Sequence, residues 1–143
     1  MTRQIDTTAL IGRFFLALLF LMSGIGKVTA PAATIGYIAA MGLPAPVGAF
    51  VASAGVELIG SLLLIAGYRV RIVAAGMAAF TLLTAVLFHA NFADQNQMIH
   101  FLKNIAILGG LLQVAAFGAG RFSLDHYFPR QTERSVAVLT AAE

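Results

Sequence analysis

The chain of 143 residues contains no cysteine. This excludes disulfide exchange, thiolate catalysis and iron–sulfur clusters ligated by the chain itself. It also removes cysteine usage as a guide to redox compartment. Charge is almost as scarce. Asp, Glu, Lys and Arg make up 10% of the residues, against about 25% in an ordinary soluble domain. With 59% hydrophobic residues and a mean hydropathy of +0.89, the composition fits neither a soluble globular protein nor a disordered one. No stretch is long enough for a separate soluble enzyme domain. The net charge of +3 is spread along the chain without a basic patch, so nucleic acid is not an expected partner. There is no Gly-x-Ser-x-Gly nucleophile motif. Gly24-x-Gly26 lacks both the third glycine and the preceding strand of a dinucleotide loop.

What the chain does have is apolar runs of membrane length, for which about 20 residues suffice. They cover about 8–28, interrupted by Arg13; 46–68, with Glu57 inside; 72–90, with no Asp, Glu, Lys or Arg; and 99–117, with Lys103 near its start. The expected fold is all-α: an integral membrane four-helix bundle over residues 1–125, followed by a tail over 126–143. Asp6, Thr7 and Thr8 are N-cap candidates for the first span. Gly42, Gly67 and Gly118 stand where left-handed C-caps favour glycine. Small residues at 28–32 imitate a signal-peptidase site, but Arg13 breaks the apolar core and Lys27 lies beside the cut, so an uncleaved segment is expected.

Seven of the nine basic residues (Arg3, Arg13, Arg69, Arg71, Arg121, Arg130 and Arg134) fall on one face of this topology, and Lys27 and Lys103 on the other. The positive-inside rule then puts both termini in the cytoplasm. Gly67 to Arg71 makes a tight hairpin between the second and third spans. The first outer connection contains a short extra helix over about 32–41, opened by Thr29 and Pro31 and ended by Gly42 and Pro44. Residues 121–125 are expected to hug the inner surface. The pairs Ala74/Ala78, Ala75/Ala79 and Ala106/Gly110 let helix backbones approach in lipid. They are read first as packing within one bundle and second as a homo-oligomer contact.

An ionisable residue inside a span is costly and needs a partner, water or an interface. Glu57 lies about 16 Å into its helix, near the middle of a hydrocarbon core about 30 Å thick. Burial disfavours its charged form and an adjacent Lys or Arg favours it. It reads either as half of a buried pair that fixes helix register or as a proton-transfer group. Arg13 and Lys27 bracket its depth, and either can also snorkel to headgroups. Lys27, His89, His100, Lys103 and Asn104 are expected to gather at the outer mouth above Glu57. Two lysines, a histidine and an amide suit an anionic or carbonyl-bearing ligand. His100 alone reads more simply as a wet-rim residue. His89 and His100 without a third ligand argue against a metal centre, and haem is not expected.

Several pieces in order resemble the DoxX family of small bacterial membrane proteins. They are Arg13, Ser23-Gly24-Ile25-Gly26-Lys27, Met41-Gly42-Leu43-Pro44, Glu57-Leu58-Ile59-Gly60, the run Leu63 to Arg71, Phe88-His89, Phe101 to Gly110, and Gly118 to Asp125. The resemblance covers roughly residues 10–125. It implies a four-helix protein of the bacterial inner membrane. It also implies association with quinone redox chemistry, since family members include subunits linked to quinol oxidation and to thiosulfate:quinone oxidoreductase. It supplies no agreed role for any residue.

Taken together, these readings give an expected quinone-engaging redox subunit that works with a redox partner protein and a possible anionic sulfur donor. Glu57, His89 and Lys103 are the expected catalytic residues. Arg13, Lys27, His100 and Asn104 are the expected ligand contacts. The alternatives are a binding or transport protein without redox chemistry and an assembly subunit of a larger membrane complex.

Overall fold

Prolines and glycines, more than hydropathy, set where the elements end. The computed structural model describes residues 2–128, with the side chains of residues 2 and 3 excepted. From residue 129 onward the expected tail, with Arg130 and Arg134, lies outside the described residues. The elements are α1 (Thr2–Thr29), α2 (Pro31–Ala40), α3 (Pro46–Ala66), α4 (Val70–His89), α5 (Gln95–Phe117) and α6 (Leu124–Tyr127). Among the described residues there is no strand. Helices α1, α3, α4 and α5 are long and apolar enough to cross a membrane. Proline stands in the first turn of both α2 and α3, where its missing N–H costs nothing.

Three boundaries differ from the sequence reading. Helix α1 starts at Thr2, so Asp6 does not cap it; its carboxylate accepts from the Arg121 N–H at 3.1 Å instead. Thr29 does not cap α2 either. Its hydroxyl donates back to the carbonyls of Ile25 and Gly26. Helix α5 begins four residues early because Asp94 accepts from the N–H groups of Asn96 and Gln97, a capping position that polar flanks concealed from a hydropathy reading.

Helix α1 packs along α3, α4 packs along α5, and the tight turn between α3 and α4 joins the two pairs. The core contains Ala17, Phe20, Leu64, Ala74, Met77, Ala78 and Leu111. Of the three small-residue pairs, only Ala74/Ala78 is wholly buried. Ala75, Ala79 and Ala106 are exposed, and Gly110 faces Leu16 on α1.

One end of the bundle is closed by a clasp built on Arg13. Its guanidinium is 1% exposed, so burial replaces the headgroup contact allowed for it above. Nη1 donates to the Ala119 carbonyl, and Nη2 donates to the carbonyls of Phe122 at 2.7 Å and Ile65 at 3.5 Å. The segment 118–128 therefore does not merely rest on a surface. It folds back beneath the α3–α4 turn, where the Asp125 carboxylate accepts from the N–H groups of Arg69 at 2.6 Å and Val70 at 2.8 Å. Asp125 thus satisfies the open N-terminus of α4 from 55 residues away, a role that neighbouring residues usually fill.

Gly67 allows this closure. Its φ of +66° caps α3, and a Cβ there would lie 2.4 Å from Ser123 Cβ and 3.0 Å from Ser123 Cα. Gly67→Ala should therefore destabilise the protein by about 2 kcal/mol or more, combining left-handed strain with a backbone clash. Gly12→Ala, with open space around its Cβ, should be neutral or stabilising by up to about 1 kcal/mol. Reversible unfolding in detergent distinguishes the two, and equal midpoints would refute the close approach.

Candidate functional site

The other half of the bundle holds a cavity of about 690 Å³ between α1, α2, α3, α4 and α5. Its walls are mostly apolar and include Ile38, Leu43, Val56, Phe80, Leu83 and Leu87. Its polar side chains include Ser23, Lys27, Glu57, His89 and Asn104. An apolar pocket with a few convergent polar groups is the usual form of a small-molecule site.

Glu57 owes its position to the close pairing of α1 with α3. A Cβ at Gly24 would lie 2.8 Å from Leu58 and 3.2 Å from Glu57 Cβ, so glycine at 24 brings the two backbones together. Glu57 is then 5% exposed. Lys27 Nζ donates to Glu57 Oε1 at 2.8 Å and Oε2 at 2.7 Å, and to Ser23 Oγ at 2.8 Å. All three ammonium protons are engaged. This answers which cation meets the carboxylate. Lys27 begins nearer the helix end than Glu57 does, but helical side chains lean toward the N-terminus. A lysine stem reaching back one turn past Ser23 covers the difference in depth.

His89 lies at the end of α4. Its Nδ1 is 2.8 Å from Gln97 Oε1. Against a carbonyl oxygen Nδ1 donates, which leaves Nε2 as the ring nitrogen open to another partner. His100 stacks on His89 with centroids 5.1 Å apart and planes inclined by 24°. It supports the His89 ring and does not itself line the cavity. Asn104 lines the cavity while its Nδ2 donates to the His100 carbonyl at 2.9 Å. Tyr37 of α2 stacks on Phe88 of α4, centroids 5.6 Å apart, and so fastens α2 across the cavity. Among the described residues no group of three or more His, Cys, Asp or Glu side chains is placed to hold a metal ion.

The structure therefore brings Lys27, Glu57, His89 and Asn104 around one space, with His100 behind His89. It separates two others from them. Lys103 is exposed on α5 and absent from the cavity wall, because the helical turn that points Asn104 inward points its neighbour away. Arg13 is in the clasp at the opposite end of the bundle. Ser23 and Gln97 were not singled out from sequence. Ser23 carried a signal, four residues before Lys27 on the same helix face. Gln97 carried none, since only the fold brings it to His89.

The sequence profile of the DoxX family matches residues 8–90. The inner membrane protein YqjF of Escherichia coli K12 is 40% identical over 120 residues, covering 84% of this chain and 91% of YqjF. The inner membrane protein YphA of the same organism is 33% identical over 122 residues, covering 81% of this chain and 86% of YphA. No solved structure matches significantly. The profile spans more than half of the chain, both relatives align over nearly all of their length, and four apolar helices carry the matched residues: this protein belongs to the DoxX family.

Proposed function

We propose that this protein is a multi-pass inner-membrane subunit, with both termini in the cytoplasm, that binds a quinone in the cavity above Glu57. The observation that carries the reading is the coexistence of an apolar cavity of about 690 Å³ with a Lys27–Glu57 ion pair at its wall, the carboxylate buried and the ammonium partly so. A quinone fits this donor set: its ring and tail are apolar, and its carbonyls need hydrogen-bond donors. When bound, it supplies two-electron, two-proton chemistry.

The chain's own part is to bind, orient and handle protons. Lys27 turns one of its three N–H bonds from Ser23 or Glu57 toward a carbonyl oxygen. Glu57 holds the ammonium through both carboxylate oxygens and is the group through which a proton lost from Nζ is replaced. His89, its Nδ1 held by Gln97, offers Nε2 as a hydrogen-bond partner that orients the quinone ring. Asn104 orients the ring from the α5 side. Because no cysteine is present, electrons come from a partner protein or from an anionic sulfur donor. Lys103 is outside this contact set.

The test is purification in mild detergent, followed by solvent extraction, an absorption spectrum and native mass spectrometry. Co-purifying quinone is expected, with short-chain ubiquinone rebinding after extraction. Lys27→Met and Asn104→Ala should weaken rebinding at least about tenfold, the scale of one lost charge-assisted hydrogen bond. Lys103→Ala should bind as wild type does. A polypeptide that neither carries nor rebinds quinone overturns the reading and leaves non-redox binding or transport as the use of the same cavity.

A further inference from the structure

A second pocket, of about 380 Å³, opens at the clasp end, where α3 and α5 finish and α4 begins. It is independent of the quinone reading. Arg69, Arg71, Asp125 and His126 line it, together with Ile72, Phe117 and Phe128. Membrane topology explains why arginines are at this end. It does not explain why two of them are fixed in a concave site.

The fixing comes from the fold-back segment. Arg69 is the residue before α4, with a φ of +46°, and its N–H is held by Asp125. Its guanidinium lies 5.8 Å from the centre of the Tyr68 ring. Arg71 lies against the end of α5, where a Cβ at Gly118 would be 3.4 Å from its Nε. Glycine with a φ of +85° leaves that space to the guanidinium. Asp125 is the acid in the pocket, and both its oxygens are engaged by backbone N–H groups of Arg69 and Val70. Among the described residues, neither Arg69 nor Arg71 forms an ion pair.

The rim is apolar in a way that water does not favour. Phe117 is 79% exposed, Phe128 73% and Ile72 60%. Two guanidinium forks beside exposed aromatic and aliphatic side chains, at the level where spans end, match an anionic headgroup with its acyl chains alongside. Guanidinium binds phosphate oxygens in bidentate fashion, and basic pockets between spans at the bilayer surface suit acidic lipids. We propose that this pocket holds the phosphate of an anionic phospholipid, with Arg69 and Arg71 on the phosphate and Phe117, Phe128 and Ile72 beside the acyl chains.

The test uses the full chain in detergent. Native mass spectrometry and thermal unfolding are followed while phosphatidylglycerol, phosphatidylcholine or inorganic phosphate is added. Phosphatidylglycerol should bind and stabilise, phosphatidylcholine should do so at least about fivefold more weakly, and inorganic phosphate should have no effect at millimolar concentration. Arg71→Gln should lower phosphatidylglycerol affinity at least about fivefold, the effect of about one interfacial cation. Arg121→Gln, which removes the same charge from an exposed site outside the pocket, should retain it. Arg71→Lys keeps the charge without the fork, guards against a variant that fails to fold, and should fall between. Equal response to the two lipids, or equal loss in Arg121→Gln, overturns the site. Stabilisation by inorganic phosphate alone overturns the lipid assignment in favour of a free anion.

Discussion

Lys27→Met should destabilise the bundle by about 2–3 kcal/mol, less than the loss of about 3–5 kcal/mol for a fully buried pair, because the Lys27 side chain is 24% exposed. Glu57, itself 5% exposed, would then line the cavity without its cation. Glu57→Gln should cost less, because a neutral amide still accepts a hydrogen bond from Lys27 Nζ. The double variant Lys27→Met with Glu57→Leu should return to within about 1–2 kcal/mol of wild type, since apolar side chains of similar volume often replace a buried pair at little cost. Denaturant unfolding of wild type, Lys27→Met, Glu57→Leu and the double variant in one detergent gives the coupling energy directly. The cycle also separates structure from function. If the pair serves ligand binding, the double variant recovers its fold and does not bind added ubiquinone. A double variant as unstable as Lys27→Met would show that the two charges do not act as a pair.

Arg13→Leu should be more severe, at about 3–5 kcal/mol, by a different route. The guanidinium holds three backbone carbonyls from two separate parts of the chain, and hydrogen bonds from a charged donor contribute about 1.5–3 kcal/mol each without being additive. Removing it leaves the buried Ala119 carbonyl and the part-buried Phe122 carbonyl without that donor and frees the segment that carries Asp125 to α4. Arg13→Lys should recover less than half of the loss, because one ammonium cannot span acceptors that a planar fork reaches. Proteolysis supplies a second readout: cleavage after Arg121 should accelerate in Arg13→Leu while the α1–α3 pair remains protected. Wild-type stability in Arg13→Leu would mean that the fold-back is held by Asp125 alone.

These two residues illustrate how different kinds of information entered the fold. Arg13, Lys27 and Glu57 were all conspicuous in the sequence for the same reason, that charge inside an apolar run demands a partner. Which partner each found was not legible there. Depth along the helix set Arg13 and Lys27 on either side of Glu57 and left open whether Arg13, Lys27 or Lys103 meets it. Side-chain length and lean bring Lys27 to Glu57, and the close approach at Gly24 draws the two helices together.

The four spans, the tight α3–α4 turn, the short helix after α1 and the polar cluster near one end were determined by the sequence itself. Hydropathy, proline and glycine act over one or two turns, and in lipid every backbone group must be satisfied within its own helix. The tertiary structure alone decided the rest. It turned Asn104 inward and Lys103 outward, placed Gln97 against His89, closed the clasp from residues more than 100 positions apart, and carried Asp125 to the start of α4. Those outcomes depend on how each helix is rotated about its axis. That rotation is set by where small residues let neighbouring helices approach, a property of pairs of surfaces and not of any single segment.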